Sequence, residues 1–356
     1  MTVATVTGAG HALPPAMDQQ GLWDGFFREH YRDARVARTV WASSGIATRR
    51  GVVDPRREDV SGWGTAARMR RFQTDALPLG LDAVGKALAD AGLDPAEVAL
   101  LTVVSCTGYA TPGLDVLLAR DLGLRPDVQR LHLGHMGCYA ALPGLGAVSD
   151  FVVARGRPAV LLCLELTSLH LQPSTDTARE GHPTGEDLQQ MVTHSLFSDA
   201  AAAVVVEPDA SGFAVVDTVA RTDTGTADHM TWDVTDLGFR MGLSPEVPAV
   251  LASHVRPVVE QLLARHDLTV GQIGGWAVHP GGRRIVEVVG DALDLDHDDL
   301  AASYDVLRDV GNCSSATVLL VLERLRETRD VPMGGYVVAM AFGPGLTLWA
   351  ALLRRV

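Results

Sequence analysis

From about residue 100 onward, short runs of apolar residues alternate with longer stretches of helical periodicity, and this alternation constrains the fold more than any other feature. The runs 100–106, 158–164 and 200–206 read as buried strands. Further strands are expected at 129–133, 213–220, 275–278, 336–342 and 346–353, and helices at 115–123, 139–154, 248–266, 282–293, 303–310 and 314–327. Alternation of this kind predicts an α/β fold of mixed sheets covered by helices. The stretch 172–188 breaks the pattern; it is polar, carries Pro and Gly, and reads as a long surface loop.

The chain has 356 residues, 47% of them hydrophobic, enough for a substantial core in one large domain or two ordinary ones. Its formal net charge of −13 opposes a phosphate backbone, so nucleic acid is not an expected partner. A small anionic ligand needs only a local basic patch and stays open. The four cysteines, Cys106, Cys138, Cys163 and Cys313, form no CxxC pair and lack zinc-site spacing, so no metal is expected. Residues 1–10 show no basic segment followed by an apolar one, and runs such as 159–164 are too short to span a bilayer. The expectation is a cytoplasmic protein without stable membrane insertion.

Three runs carry chemistry. Cys138 follows Gly137 at the end of an extended stretch and precedes a helix of small residues. A thiol there meets free N–H groups and the helix dipole, which favour the thiolate. A lone cysteine is otherwise a small buried hydrophobe, the reading adopted for Cys163. His279 is followed by Pro280-Gly281-Gly282, a tight turn that leaves an imidazole at a strand end. Asn312, after Gly311, reads either as a helix cap or as an uncharged hydrogen-bond donor. If the three converge, Cys138 carries an acyl group while His279 and Asn312 donate to a carbonyl oxygen as it becomes an enolate or oxyanion. A papain-like hydrolase carries its cysteine near the mature N-terminus in a characteristic run, which Cys138 lacks. The loose echo between 137–141 and 311–316 suggests two similar halves, 1–206 with the cysteine and 207–356 with the histidine and asparagine.

These runs, with Ser105-Cys106-Thr107-Gly108-Tyr109-Ala110-Thr111-Pro112-Gly113, Gly123-Leu124-Arg125-Pro126, Leu196-Phe197-Ser198-Asp199 and Phe342-Gly343-Pro344-Gly345, resemble the type III polyketide synthases, the chalcone-synthase-like group of the thiolase fold. The resemblance spans roughly residue 43 to the end. His279-Pro280-Gly281-Gly282 and Phe342-Gly343-Pro344-Gly345 distinguish the chain from the related ketoacyl synthases of fatty-acid synthesis. What the resemblance implies is a five-layered αβαβα thiolase fold with two pseudo-symmetric halves and a homodimer. Substrates would be an acyl-CoA starter and malonyl-CoA, with no cofactor. Cys138 would be the acyl-carrying nucleophile, and His279 and Asn312 the pair that promotes decarboxylation and holds the enolate. Phe197 matches the gatekeeper between the coenzyme A tunnel and the cavity. Cys106, Thr107, His170, Trp232, Met241, Phe342, Gly343 and Pro344 fall at cavity-shaping positions. Arg35, Arg38, Arg49 and Arg50, with Gly281 and Gly282, lie where coenzyme A would be gripped.

The runs 105–109, 136–141 and 166–171 are most similar to bacterial alkylresorcinol and alkylpyrone synthases, which implies a fatty acyl starter and closure to a resorcinol or pyrone. A malonyl-CoA-only synthase of the tetrahydroxynaphthalene type is the alternative, and a bulky Trp232 that blocked a long chain would favour it. A non-catalytic thiolase-fold protein that binds acyl-CoA is a third reading, which intact Cys138, His279 and Asn312 oppose.

Overall fold

Strands that read as unbroken apolar runs do so because both of their faces are buried. A computed structural model describes residues 2–175, 178 and 183–356. The strands are β1 (Ala4–Ala12), β2 (Ala16–Asp18), β3 (Thr48–Arg50), β4 (Leu100–Val104), β5 (Gln129–Leu133), β6 (Ala159–Glu165), β7 (Ala200–Pro208), β8 (Phe213–Thr222), β9 (Met230–Thr235), β10 (Gly238–Leu243), β11 (Ile273–Val278), β12 (Tyr336–Gly343) and β13 (Thr347–Arg355). The longer helices are α1 (Arg35–Ala42), α2 (Thr65–Ala91), α3 (Leu114–Asp121), α4 (Ala141–Arg155), α5 (Gly185–Leu196), α6 (Val247–Ala264), α7 (Arg283–Leu293), α8 (Ala301–Asp309) and α9 (Thr317–Thr328).

Nine strands form one hydrogen-bonded ladder in the order β11-β12-β13-β8-β1-β7-β6-β4-β5. β1 and β8 meet only through Thr5–Ala214 and Val6–Phe213, so the ladder behaves as two sheets joined at a corner. The two sheets share a pattern. A parallel pair, β4–β6 or β11–β12, is followed by antiparallel neighbours, β7 then β1 or β13 then β8.

Side chains alternate between cores with period two. In β7, Ala200, Ala202, Val204 and Val206 face a central core, and Ala201, Ala203 and Val205 face an outer one containing α2. In β12, Val337, Ala339 and Ala341 face the same central core, and Val338, Met340 and Phe342 face a second outer core containing α6 and α7. α4 and α9 fill the central core. The layers are therefore helix, sheet, helix pair, sheet and helices, the expected αβαβα arrangement. The stretch Gly137–Arg155 is long and apolar enough to cross a membrane by length and composition, and here it belongs to the middle layer.

The surface loop expected at 172–188 needs correction at its far end; residues 176–177 and 179–182 lie outside the described residues. α5 already starts at Gly185, because the Thr184 hydroxyl accepts from the Asp187 N–H while the Asp187 carboxylate accepts from Thr184. That reciprocal capping box is a strong helix start. The helices expected from 139 and 314 each begin with a tight 3₁₀ turn, Gly137–Tyr139 and Ser314–Ala316, ahead of α4 and α9.

α2 presses directly on β1. A Cβ at Gly10 would lie 2.4 Å from the Ala87 backbone nitrogen and 2.7 Å from the Ala83 carbonyl oxygen. Gly10→Ala should therefore destabilise the protein by about 1–3 kcal/mol through overpacking. Urea unfolding checks this; an unchanged midpoint would show that α2 can retreat from the sheet without cost.

Candidate active site

Two helix starts of the middle layer and the end of β11 bring the three expected residues to one cavity. Cys138 sits in the turn before α4 and is 6% exposed. Gly137 holds φ at +74°, a conformation that favours glycine, and a Cβ there would lie 2.6 Å from Pro344 Cδ. A Cβ at Gly343 would lie 2.6 Å from the Tyr139 ring and 3.3 Å from the Cys138 nitrogen. The 342–345 loop is thus braced against the cysteine turn. Gly343 and Pro344 set that brace, and Phe342 is the member that lines the cavity.

His279 follows β11, its N–H donating to the Met340 carbonyl at 2.8 Å, and Gly281 N–H closes the turn onto the His279 carbonyl at 3.0 Å. The ring is buried, and neither nitrogen has a hydrogen-bond partner among the described residues. Burial holds its pKa down to about 3, so the imidazole is neutral. Asn312 fills both roles that its sequence context allows. Its Oδ1 accepts from Ser314 N–H at 2.9 Å, capping the turn, and its Nδ2 donates to the Gly281 carbonyl at 3.2 Å beside His279.

Cys138, His279 and Asn312 line one cavity of about 440 Å³ with Phe197, Met241, Gly281, Gly282 and Phe342. Its other walls are largely apolar, including Val192, Met230, Leu243, Val247 and Leu251. Ser43, Ser44, Arg283 and Arg284 also line it, and both arginines are exposed. Phe197, Thr193 and Met241 back onto a second void of about 60 Å³ that His170, Trp232, Phe239, Arg49 and Arg50 also line.

Several expected residues sit elsewhere. Cys106 and Thr107 lie on the turn after β4, outside the lining of either space. Their carbonyls are held by two rings: Trp232 Nε1 donates to Cys106 O at 2.8 Å, and His170 Nε2 bonds Thr107 O at 2.7 Å. His170 Nδ1 accepts from Phe239 N–H, so its proton sits on Nε2; burial holds its pKa down to about 4. The expected coenzyme A contact by Arg49 is corrected: its guanidinium is buried and donates to the carbonyls of His194 and Phe197. Arg50 is half-buried against the small void rather than in the wall of the large cavity. Arg35 and Arg38 lie exposed on α1, Arg38 paired with Asp33.

Sequence reasoning missed Glu165, a fully buried carboxylate. It accepts from Thr107 Oγ1 at 2.8 Å, Cys106 N–H at 3.0 Å and Ser315 Oγ at 2.6 Å. Burial pushes its pKa up, against those donors. Its signal was a charge closing the otherwise apolar β6. Arg283 and Arg284 were also missed, although they follow directly on Gly281-Gly282.

The expected lowering of the Cys138 pKa is not met. Burial pushes the thiol up to about 12, the Ser314 hydroxyl pulls it down and Glu165 raises it further. The helix start does not outweigh desolvation.

A sequence model of the chalcone and stilbene synthases, N-terminal domain, matches residues 59–210, and the C-terminal domain of the same family matches 215–356. The chain belongs to this family, the type III polyketide synthases. Among its relatives are an alpha-pyrone synthesis polyketide synthase-like protein, Pks18, of Mycobacterium tuberculosis and the 1,3,6,8-tetrahydroxynaphthalene synthase of Streptomyces peucetius. The first is 32% identical, over 98% of this chain and 90% of its own length. The second is 35% identical, over 98% and 93%. The crystal structure of PKS-I from the brown alga Ectocarpus siliculosus superposes with a TM-score of 0.89 at 28% identity, over 100% of this chain and 99% of that one. Acyl transfer and condensation are therefore this enzyme's chemistry.

Burial keeps the Cys138 thiol protonated at neutral pH, and His279 in the same cavity is its proposed proton acceptor. His279→Gln should slow alkylation of Cys138 near pH 7 by about tenfold or more. The residual rate should climb about tenfold per pH unit, because thiolate is the reactive form. Mass spectrometry of the Cys138 peptide reads both; identical wild-type and variant profiles would show that His279 takes no such proton.

Proposed function

We propose that Cys138 accepts an acyl group from a coenzyme A thioester and holds it through successive extensions, with no further cofactor. The observation that carries this reading is the convergence of Cys138, His279 and Asn312 on one apolar cavity with exposed arginines in its wall. In acylation the Cys138 sulfur attacks the thioester carbonyl, its proton passes to His279, and coenzyme A leaves as the thiol. Malonyl-CoA then enters and loses carbon dioxide. The enolate oxygen receives hydrogen bonds from His279 and Asn312, both uncharged, so neither one neutralises the enolate by protonating it outright. The enolate carbon attacks the Cys138 thioester and expels the Cys138 thiolate, leaving the lengthened chain on coenzyme A; Cys138 then attacks that thioester, takes the chain back and releases coenzyme A.

The apolar walls formed by Met230, Met241, Leu243, Val247 and Leu251 support a fatty acyl starter, with closure to a resorcinol or pyrone. One observation favours the malonyl-only reading instead: Trp232 is fastened to the Cys106 carbonyl and fills space beside Phe197 and Met241. Coenzyme A phosphates would meet Arg283 and Arg284, with Arg35 and Arg38 on the neighbouring α1. The exposed, one-sided edge of β5, with Leu131 39% exposed and Tyr109 68% exposed nearby, supports a homodimer built on that edge. Four free thiols suit a reducing cytoplasm. β7 runs to Pro208, so we place the division between the halves in the following turn, at 209–212, rather than after residue 206.

Radiolabelled malonyl-CoA with a panel of acyl-CoA starters tests the reading. The wild type should release carbon dioxide and give extended products, Cys138→Ala should give none, and His279→Ala should lose decarboxylation. No product across the panel would sink the synthase reading, and extension by Cys138→Ala would sink the nucleophile. Long starters used by the wild type support the fatty reading; long starters used only by Trp232→Ala support the malonyl-only one.

Replacing Arg283 and Arg284 together by Glu should raise KM for malonyl-CoA about two- to fivefold or more, as loss of exposed charge pairs does. KM for the N-acetylcysteamine thioester of malonate, which lacks the nucleotide, should stay put. Equal effects on both substrates would remove the phosphate contact.

A further inference from the structure

The C-terminal end of α5 points its carbonyls into the protein beside the active site, where no water is available to satisfy them. A helix leaves its last carbonyls without intrahelical partners, and its aligned peptides put a partial negative charge at that end. Here each finds a partner from elsewhere in the chain or from the helix's own end. Phe197 N–H closes the last helical bond onto Thr193 O at 3.2 Å. The carbonyls of His194 and Phe197 both accept from the Arg49 guanidinium, the second at 3.1 Å. The Ser195 carbonyl accepts from Gln19 Nε2 at 2.9 Å. The Leu196 carbonyl accepts from the backbone N–H of Asn312 at 3.0 Å, and the Asn312 carbonyl accepts from Ser198 N–H at 2.8 Å. Phe197 and Asn312 are thereby paired as a one-residue bridge.

Arg49 is an expensive way to fill that place. It is 6% exposed, its Nε has no partner, and no carboxylate hydrogen-bonds it among the described residues. Its charge is met by the helix end and by the faces of Trp41 and Phe27, whose ring centres lie 5.1 and 5.8 Å from Cζ. Buried ions with unfilled donors contribute little net stability and serve specificity of arrangement. The arrangement held here is the one that sets Phe197 and Asn312 in the wall of the large cavity.

We propose that Arg49, assisted by Gln19, is a positioning residue for condensation. It caps the end of α5, fixes the Phe197 ring and the Asn312 amide through their shared bridge, and cancels a negative helix end next to the place where the enolate forms. The proposal rests on the synthase reading, and it replaces the coenzyme A contact expected of Arg49 from sequence.

The test compares wild type, Arg49→Met, Arg49→Lys and Gln19→Met, with melting curves to establish folding. Each is assayed on malonyl-CoA and on the N-acetylcysteamine thioester of malonate. Carbon dioxide released is measured against malonyl units incorporated. Arg49→Met should lower kcat for extension by about 10- to 100-fold, the scale of a small misplacement of reacting groups. The loss should be the same on both substrates, with KM little changed. Carbon dioxide released per unit incorporated should rise, because enolates formed against a misplaced acceptor are lost to protonation. Arg49→Lys keeps the charge but changes the reach and direction of the donor that Nη1 supplies to both carbonyls, and should fall in between. Gln19→Met should raise the same ratio by a smaller factor, and it decides the matter if Arg49→Met does not fold. A loss confined to malonyl-CoA would overturn the proposal in favour of a phosphate contact. An unchanged ratio in the folded variants would overturn it in favour of a purely structural role. A wild type that makes no product fails earlier, with the synthase reading itself.

Discussion

The middle layer governs everything else. α4 and α9 start between two sheets, so their first turns have no face to offer to water, and the polar groups there must find partners inside the protein. Ser314 shows the consequence. Its hydroxyl lies 3.8 Å from the Cys106 sulfur and pulls the pKa of Cys138, at the start of one helix, down, while its own N–H is capped by Asn312. Two helix starts that cannot be solvated are solved against each other, and the place where they meet is the reacting end of the cavity. Small residues make this possible. Ala140, Ala141 and Ala316 are buried where larger side chains would push the helices off the sheets.

The same burial sets the electrostatics. Single charges are excluded: burial raises the Cys138 thiol and holds the His279 imidazole neutral. The ionisable groups buried around the site have surroundings built for them. Glu165 is surrounded by hydroxyls and a backbone N–H, Asp199 accepts from Ser168, Thr167 and Val52, and Arg49 is surrounded by carbonyls and aromatic faces. A site of this kind favours chemistry in which a proton or a carboxylate leaves at the moment charge forms, since neither the thiol nor the imidazole is charged in advance. The proposed transfer of the thiol proton and loss of carbon dioxide from malonate are both steps of that type.

Legibility from sequence followed burial. Strands 158–164 and 200–206 and helix 282–293 could be found within a residue or two because their apolar positions face a core on at least one side and their ends carry Gly or polar turns. The hairpin β9–β10 and the long α2 were not read. The hairpin alternates weakly, with Trp232 and Asp233 side by side, and α2 contains Pro78, which normally argues against a helix interior. Arg49 and Arg50 form a basic pair like any solvated patch. Nothing local shows that Arg49 points into an aromatic cage, because Trp41, Phe27 and the end of α5 reach it from 8 to 148 residues away in sequence. The residues proposed as catalytic were legible for the opposite reason: Gly137-Cys138, His279-Pro280-Gly281-Gly282 and Gly311-Asn312 carry their turn geometry beside them.

The division between what catalyses and what selects follows from this architecture. Cys138, His279 and Asn312 stand on the middle layer and on β11, elements locked by two packed faces, so their placement leaves little freedom for variation. The wall opposite is made of α5 and the β9–β10 hairpin, which packs outside the main sheet. Phe197, Thr193 and Met241 in that wall separate the large cavity from the small void, and Trp232 lies directly behind them. A smaller side chain at any of these positions would join the two spaces without disturbing a helix start or a sheet register. On the proposed function, chain length and ring closure would be set on the side of the site where the fold tolerates change. The condensation machinery is set where it does not, and the Phe197–Asn312 bridge is the backbone contact through which one side registers on the other.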